Sequence, residues 1–141
     1  MNCLIIDDLH PILIDLFHQK GISTSYKPDI NRTEFEELLP NYDILIVRSK
    51  FNIDQSVIDK ATNLKIIGRC GAGLDNIHVE YAENRQIKVF SANEGNQESV
   101  AEHTTGLILS LLHNINKGHR EVGKFIWDRE GNRGHELNSK T

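Results

Sequence analysis

Two cysteines are too few, in 141 residues, for the disulfide framework of a small secreted scaffold. Cys3 opens the first predicted strand and Cys70 closes a later one, at opposite ends of a parallel sheet. That separation excludes a bond between them, and both are expected as buried free thiols. No surplus of positive charge exists: 16 Lys and Arg stand against 20 Asp and Glu, a net charge of -4. Without a basic patch, nucleic acid and anionic membrane are excluded as partners. No apolar run approaches the roughly 20 residues of a membrane helix. The apolar start, Met1 to Ile6, meets Asp7 and Asp8 too early and lacks the basic residues of a signal peptide, so the cytoplasm is the expected location. The seven histidines contain no i, i+4 pair and no Cys/His cluster, so no metal site is expected. Internal repeats and low-complexity tracts are also missing.

What is there has the balance of an ordinary folded domain, 38% hydrophobic and 26% charged, enough to bury one good core. Short runs rich in Ile, Val and Leu alternate with helix-period segments. Strands are expected at Cys3 to Ile6, Ser23 to Tyr26, Ile44 to Val47, Lys65 to Arg69 and Lys88 to Phe90. Pro11 to Lys20 forms the first helix, with Gly21 past its end. Thr33 and Glu36 have capping-box spacing for a second helix that begins near Asn31 to Thr33. Asp54 caps a short third helix through Lys60, and Ile77 to Arg85 forms a fourth. The βαβαβαβαβ order predicts an α/β, flavodoxin-like, doubly wound parallel sheet of five strands.

From Glu98 the pattern changes to a long helix whose apolar residues, Val100 to Ile115, surround most of its circumference. Such a helix is expected between two bodies, either a second domain or a second subunit. Beyond Gly118 the sequence is polar and glycine-rich through Gly134 and predicts an extended arm or loop, with Phe125 and Trp127 as interface anchors. His135 to Thr141 then runs out without a cap or closing element, which has the look of a truncation.

Two constellations could carry chemistry. Gly71-Ala72-Gly73-Leu74-Asp75-Asn76 follows a strand and precedes a helix, the context of a dinucleotide fingerprint. The third glycine is replaced by Asn76, however, and the motif follows strand four rather than strand one. It is either a small carboxylate site built from backbone N–H groups or a tight turn without a ligand. Arg48-Ser49-Lys50 ends strand three at the same carboxyl edge. Arg48 offers a planar fork to a carboxylate or phosphate, and Ser49 a hydroxyl; a solvated, salt-bridged Arg is the plainer alternative.

Gly68-Arg69-Cys70-Gly71-Ala72-Gly73-Leu74-Asp75-Asn76-Ile77, then Val89-Phe90-Ser91-Ala92, then Gly95-Asn96-Gln97-Glu98-Ser99-Val100-Ala101-Glu102-His103 resemble consecutive landmarks of the D-2-hydroxyacid dehydrogenases, the phosphoglycerate dehydrogenase type in particular. Val47-Arg48-Ser49 is similar to the family's substrate-edge strand. Gly134-His135-Glu136-Leu137 with Lys140-Thr141 resembles the stretch leading into its first Rossmann strand. The resemblance implies an NAD-dependent oxidoreductase transferring a hydride from 3-phosphoglycerate or a related hydroxyacid, in serine biosynthesis. It implies that Gly71, Ala72, Gly73 and Leu74 hold the substrate carboxylate, that Arg48 and Ser49 face the distal group, and that Ala72, Asn96 and Thr104 lie near the cofactor. It implies a substrate-binding domain over 1–97, a hinge helix over 98–118, and an arm with the start of a truncated NAD-binding domain over 119–141. A homodimer through helix 99–116 and arm 119–134 is implied as well. The family's catalytic Arg, Glu and His would lie beyond this chain, so no catalytic residue is assigned, His103 included, and the chain alone is expected to be inactive. Lys50-Phe51 departs from the Thr that often follows the family's Arg-Ser pair, which leaves the distal group of the substrate open.

Two rival readings are of other classes. Asp7-Asp8 is similar to the magnesium-binding acidic pair of phospho-receiver domains, which share this strand order. Arg48 stands where the phosphoacceptor aspartate should be, and no Lys follows Phe90. A non-catalytic regulatory or interaction module derived from such an enzyme is the other.

Overall fold

The computed structural model describes residues 1–138, so Lys140 and Thr141, part of the resemblance above, lie outside the described residues. The chain divides into two compact units, Met1–Gly95 and Asn96–Thr141.

The first unit is a five-stranded parallel sheet: β1 Asn2–Ile5, β2 Ser23–Tyr26, β3 Ile44–Val47, β4 Ile66–Arg69 and β5 Lys88–Ser91, in the order β2-β1-β3-β4-β5. Helices α1 Ile12–Gln19, α2 Arg32–Leu38, α3 Gln55–Lys60 and α4 Val79–Asn84 fill the crossovers. The chain reverses direction across the sheet between β1 and β3, the switch point beside which open α/β sheets bind ligands. All four residues of β3 are buried, as expected of a central parallel strand coated on both faces. On one face Leu4, Leu45, Val47 and Ile67 pack with Phe35 of α2, Val57 and Ile58 of α3 and Ala82 of α4. On the other, Cys3, Ile5, Ile44 and Ile46 pack against Leu13, Ile14 and Phe17 of α1. Gly68 leaves room there for Ile46, whose Cδ1 would stand 2.7 Å from a Cβ at that position.

Helix ends show where local chemistry decided. Gly21 follows α1 with φ +69°, a conformation glycine adopts without strain. Asp54 caps α3 by accepting from Val57 N–H at 3.1 Å. The expected Thr33/Glu36 box is not the cap of α2: Asn31 Oδ1 accepts from Glu34 N–H at 3.0 Å, and Glu36 instead pairs with Arg32 and Lys60. Ile77 is not helical but bridges to Ile53, and α4 starts later, after His78. Cys3 is buried and Cys70 only half-buried; both thiols are free. Burial pushes the Cys3 thiol up to about 12.

In the second unit the expected long helix is two. α5 spans Gln97–Leu112 and α6 Ile115–Val122, so helix continues four residues past Gly118 into the expected arm. The break falls at Asn114, in the left-handed region at φ 53°. Asn tolerates that region better than most residues, and here its Nδ2 donates to Arg133 O at 3.0 Å. The arm is therefore folded back rather than extended. His135 N–H donates to Leu112 O at 2.8 Å, Lys117 Nζ to Gly131 O at 2.6 Å and Asn132 Nδ2 to Glu121 Oε2 at 2.6 Å.

Candidate functional site

The carboxyl edge of the sheet brings β1, β3, β4 and β5 to a common rim. Cys70 N–H donates to Val47 O at 2.8 Å, which sets Arg48 beside the Gly71 to Leu74 turn. The Arg48 and Asp7 charges are both felt at the Cys70 sulfur. Burial pushes that thiol up, Asp7 adds to the rise and Arg48 opposes it. Arg48 and Ser49 are exposed, and among the described residues neither side chain has a hydrogen-bond or ion-pair partner. A partnerless guanidinium at a switch-point edge suits an anionic ligand better than a structural salt bridge.

The turn is open. Ala72 and Gly73 are exposed, Gly71 and Leu74 half-buried. Among the described residues the N–H groups of Ala72, Gly73 and Leu74 have no protein acceptor, while Gly71 N–H donates to Arg69 O at 3.0 Å. Gly71 O in turn accepts from Ala92 N–H at 3.1 Å, tying the turn to the end of β5. Three successive amides without a protein acceptor are the kind of donor set that can meet a carboxylate.

The glycines themselves answer to protein neighbours. A Cβ on Gly71 would lie 2.5 Å from Arg69 Nη1, and one on Gly73 would lie 2.8 Å from Asp75 Oδ2. The missing Cβ atoms leave space for the Arg69 guanidinium and the Asp75 carboxylate. Arg69, half-buried, is a functional candidate that sequence reasoning missed. Its Nε donates to Arg48 O at 3.2 Å, so a second guanidinium stands at the rim. The signal was available, because the register pairs Val47 with Arg69 and puts Arg48 next to both.

Asp7 and Asp8 diverge. The Asp7 carboxylate accepts from Arg48 N–H at 2.6 Å and Ser49 N–H at 3.3 Å. Asp8 accepts from Tyr26 Oη at 2.7 Å, and that bond holds the phenol above its ordinary pKa. Lys50 is turned away, its ammonium bonded to Pro28 O and placed 5.7 Å from the Phe51 ring. Asn96 and Thr104 belong to the second unit. Asn96 precedes α5 without a side-chain cap, and Thr104 Oγ1 donates to Val100 O at 2.7 Å. His103 is exposed on α5. The structure thus gathers Arg48, Ser49 and Gly71 to Leu74 at one edge of the first unit.

The chain belongs to the family described as D-isomer specific 2-hydroxyacid dehydrogenase, catalytic domain, whose profile matches residues 3–139. Among its curated relatives, the D-3-phosphoglycerate dehydrogenases of Archaeoglobus fulgidus and Methanocaldococcus jannaschii are each 37% identical over 141 residues. The match takes in 100% of this chain and 27% of each relative, so the chain spans about a quarter of their length. Among solved structures, the NAD-dependent formate dehydrogenase of Staphylococcus aureus in complex with NAD is similar at TM-score 0.79 and 26% identity, over 97% of this chain and 46% of that one. A Pyrococcus horikoshii protein matches at TM-score 0.85 and 24% identity, over 96% of this chain and 42% of that one, a likeness of fold.

Proposed function

We propose that this chain is the substrate-binding part of an NAD-dependent D-2-hydroxyacid dehydrogenase that oxidises 3-phosphoglycerate, the entry to serine synthesis. The observation that carries the reading is one rim presenting a partnerless Arg48 beside three unengaged amides, Ala72 to Leu74. The amides would hold the substrate carboxylate, and Arg48 with Ser49 the distal phosphate. The 37% identity to two D-3-phosphoglycerate dehydrogenases over the whole chain supports that substrate. The commitment of Asp7 and Asp8 to Arg48, Ser49 and Tyr26 weighs against a magnesium-binding receiver.

Domains divide on this reading into 1–97 for substrate, 98–118 as hinge, and 119–141 as arm and beginning of the NAD-binding domain. Ala72, exposed and without a bulky side chain, fits the edge of a nicotinamide, with Asn96 and Thr104 as further cofactor neighbours. Bound NAD supplies the hydride acceptor. This chain's own residues orient the hydroxyacid, and fixing a reactant in this way can lower a barrier by several kcal/mol, reaching roughly 7–11 kcal/mol only in the best-aligned cases. The proton-transferring His and its Arg and Glu partners would come from sequence outside the chain. The apolar residues left exposed on α5, such as Leu107 and Leu111, support a homodimer through 99–116 and 119–134; the location that goes with this reading is the cytoplasm.

Assaying the full gene product that contains this chain against 3-phosphoglycerate and NAD tests the reading. NADH formation is expected from the complete protein and none from residues 1–141 alone. Absence of NADH from the complete protein overturns the enzyme, and robust NADH from the 141 residues overturns the division of labour.

A further inference from the structure

Among the described residues Asp7 is the only buried polar side chain, 9% exposed, and nothing in the reaction above uses it. An ionised carboxylate withdrawn from water costs free energy unless hydrogen bonds replace its hydration. Here each oxygen takes a backbone N–H, from Arg48 and from Ser49. The two loops of the rim are therefore wired in opposite senses. In the Gly71 to Leu74 turn the amides of Ala72, Gly73 and Leu74 lack a protein acceptor and are available to a ligand. In the Arg48–Ser49 loop both amides are turned inward to Asp7, so that only side chains are left to meet one.

We propose that Asp7 is a positioning residue for substrate recognition: by holding the Arg48 and Ser49 amides it sets the direction from which the Arg48 guanidinium reads the substrate's distal anionic group. The inference rests on the dehydrogenase reading. The brace continues through Arg69, whose Nε donates to Arg48 O, so the loop is gripped on its N–H side by Asp7, just past β1, and on its C=O side by Arg69 of β4. Loss of the Asp7 grip would free the loop without emptying the amide array at Gly71 to Leu74. In Asp7→Asn the carboxamide still accepts from one amide, but its NH2 opposes the other, and the loop must turn.

The test is a double-mutant cycle in the complete protein, with KM measured for 3-phosphoglycerate and for D-lactate, which has no distal charge. Asp7→Asn is expected to raise the KM for 3-phosphoglycerate about tenfold more than that for D-lactate. In an Arg48→Ala background the same substitution should change that ratio by less than about twofold, because the residue it works through is gone. An equal rise for both substrates makes Asp7 a merely structural residue and overturns the proposal, as does additivity with Arg48→Ala. If Asp7→Asn does not fold, Asp7→Glu is measured in its place; it keeps charge and acceptors but moves them by one methylene, and an unchanged ratio there is equally fatal. A wild-type protein inactive on both substrates removes the dehydrogenase reading itself, an outcome distinct from an active enzyme indifferent to Asp7.

Discussion

The two units spend their apolar residues in opposite ways. In Met1–Gly95 the sheet and its helices enclose Leu4, Phe35, Leu45, Val47, Val57 and Ile67 completely. In the second unit neither α5 nor α6 contains a buried residue, and Leu111, Trp127 and Phe125 are 80%, 83% and 100% exposed. Similar side chains thus do different work. Those of the first unit supply folding free energy, whereas those of the second are left exposed. A periodic apolar pattern shows that a helix has something to bury, and does not show where its partner comes from.

Paired truncations put the largest effect first. Phe35→Ala, at a fully buried position, should cost about 3–5 kcal/mol of stability in urea denaturation. Leu111→Ala should lie within about 0.5 kcal/mol of wild type when the 141-residue chain is measured at concentrations where it is monomeric, as for an exposed residue. Comparable losses at the two positions would break the contrast.

A smaller effect is expected from pH. Burial raises the folded Cys3 thiol from 9.0 to about 12, so between those values the unfolded chain loses a proton that the folded one keeps. Stability that is intact below pH 9 is then lost as pH rises towards 12, by up to about 1.4 kcal/mol per pH unit. Cys3→Ala should flatten that decline, measured as the difference between the two denaturation curves at pH 8 and pH 10.5. The same slope in both proteins would mean that the thiol is not protected by the core.

The third effect is confined to the second unit. A Cβ on Gly134 would stand 2.6 Å from Leu112 O and 2.7 Å from His113 Cα. Gly134→Ala should pull the arm off the end of α5 and weaken hydrogen-exchange protection of the His135 amide, by about fivefold, a cost near 1 kcal/mol. Protection in β1 and β3 should not change, and a drop there would mean that the units do not keep separate stabilities.

Most of the first unit was legible from sequence because its signals are local and agree. Ser23 to Tyr26 and Ile44 to Val47 are strands as expected, Asp54 caps α3, and Gly21 ends α1. Where two residues could play one role, sequence could not choose: Asn31 and Thr33 are both good caps, and only the path of the chain into α2 selects Asn31. The break at Asn114 was hidden because apolar residues continue on both sides of it, at Leu112 and Ile115. The site was half legible. Arg48 and the Gly71 turn share an edge because strand order puts them there. The roles of Arg69 and Asp7 at the rim were not legible because their bonds run to backbone atoms of Arg48 and Ser49, and a backbone partner leaves no mark on residue type. Asp7-Asp8 looked like a pair, yet the two carboxylates serve different strands.

The joint oxyacid pocket of Arg48 and the glycine turn is the central claim, and steady-state kinetics of Arg48→Ala in the complete protein test it most directly. Loss of a charge-assisted contact worth about 1.5–3 kcal/mol should raise the KM for 3-phosphoglycerate by roughly tenfold or more, and that for D-lactate far less. An equal change for both substrates, or none for either, would show that this guanidinium does not read the phosphate.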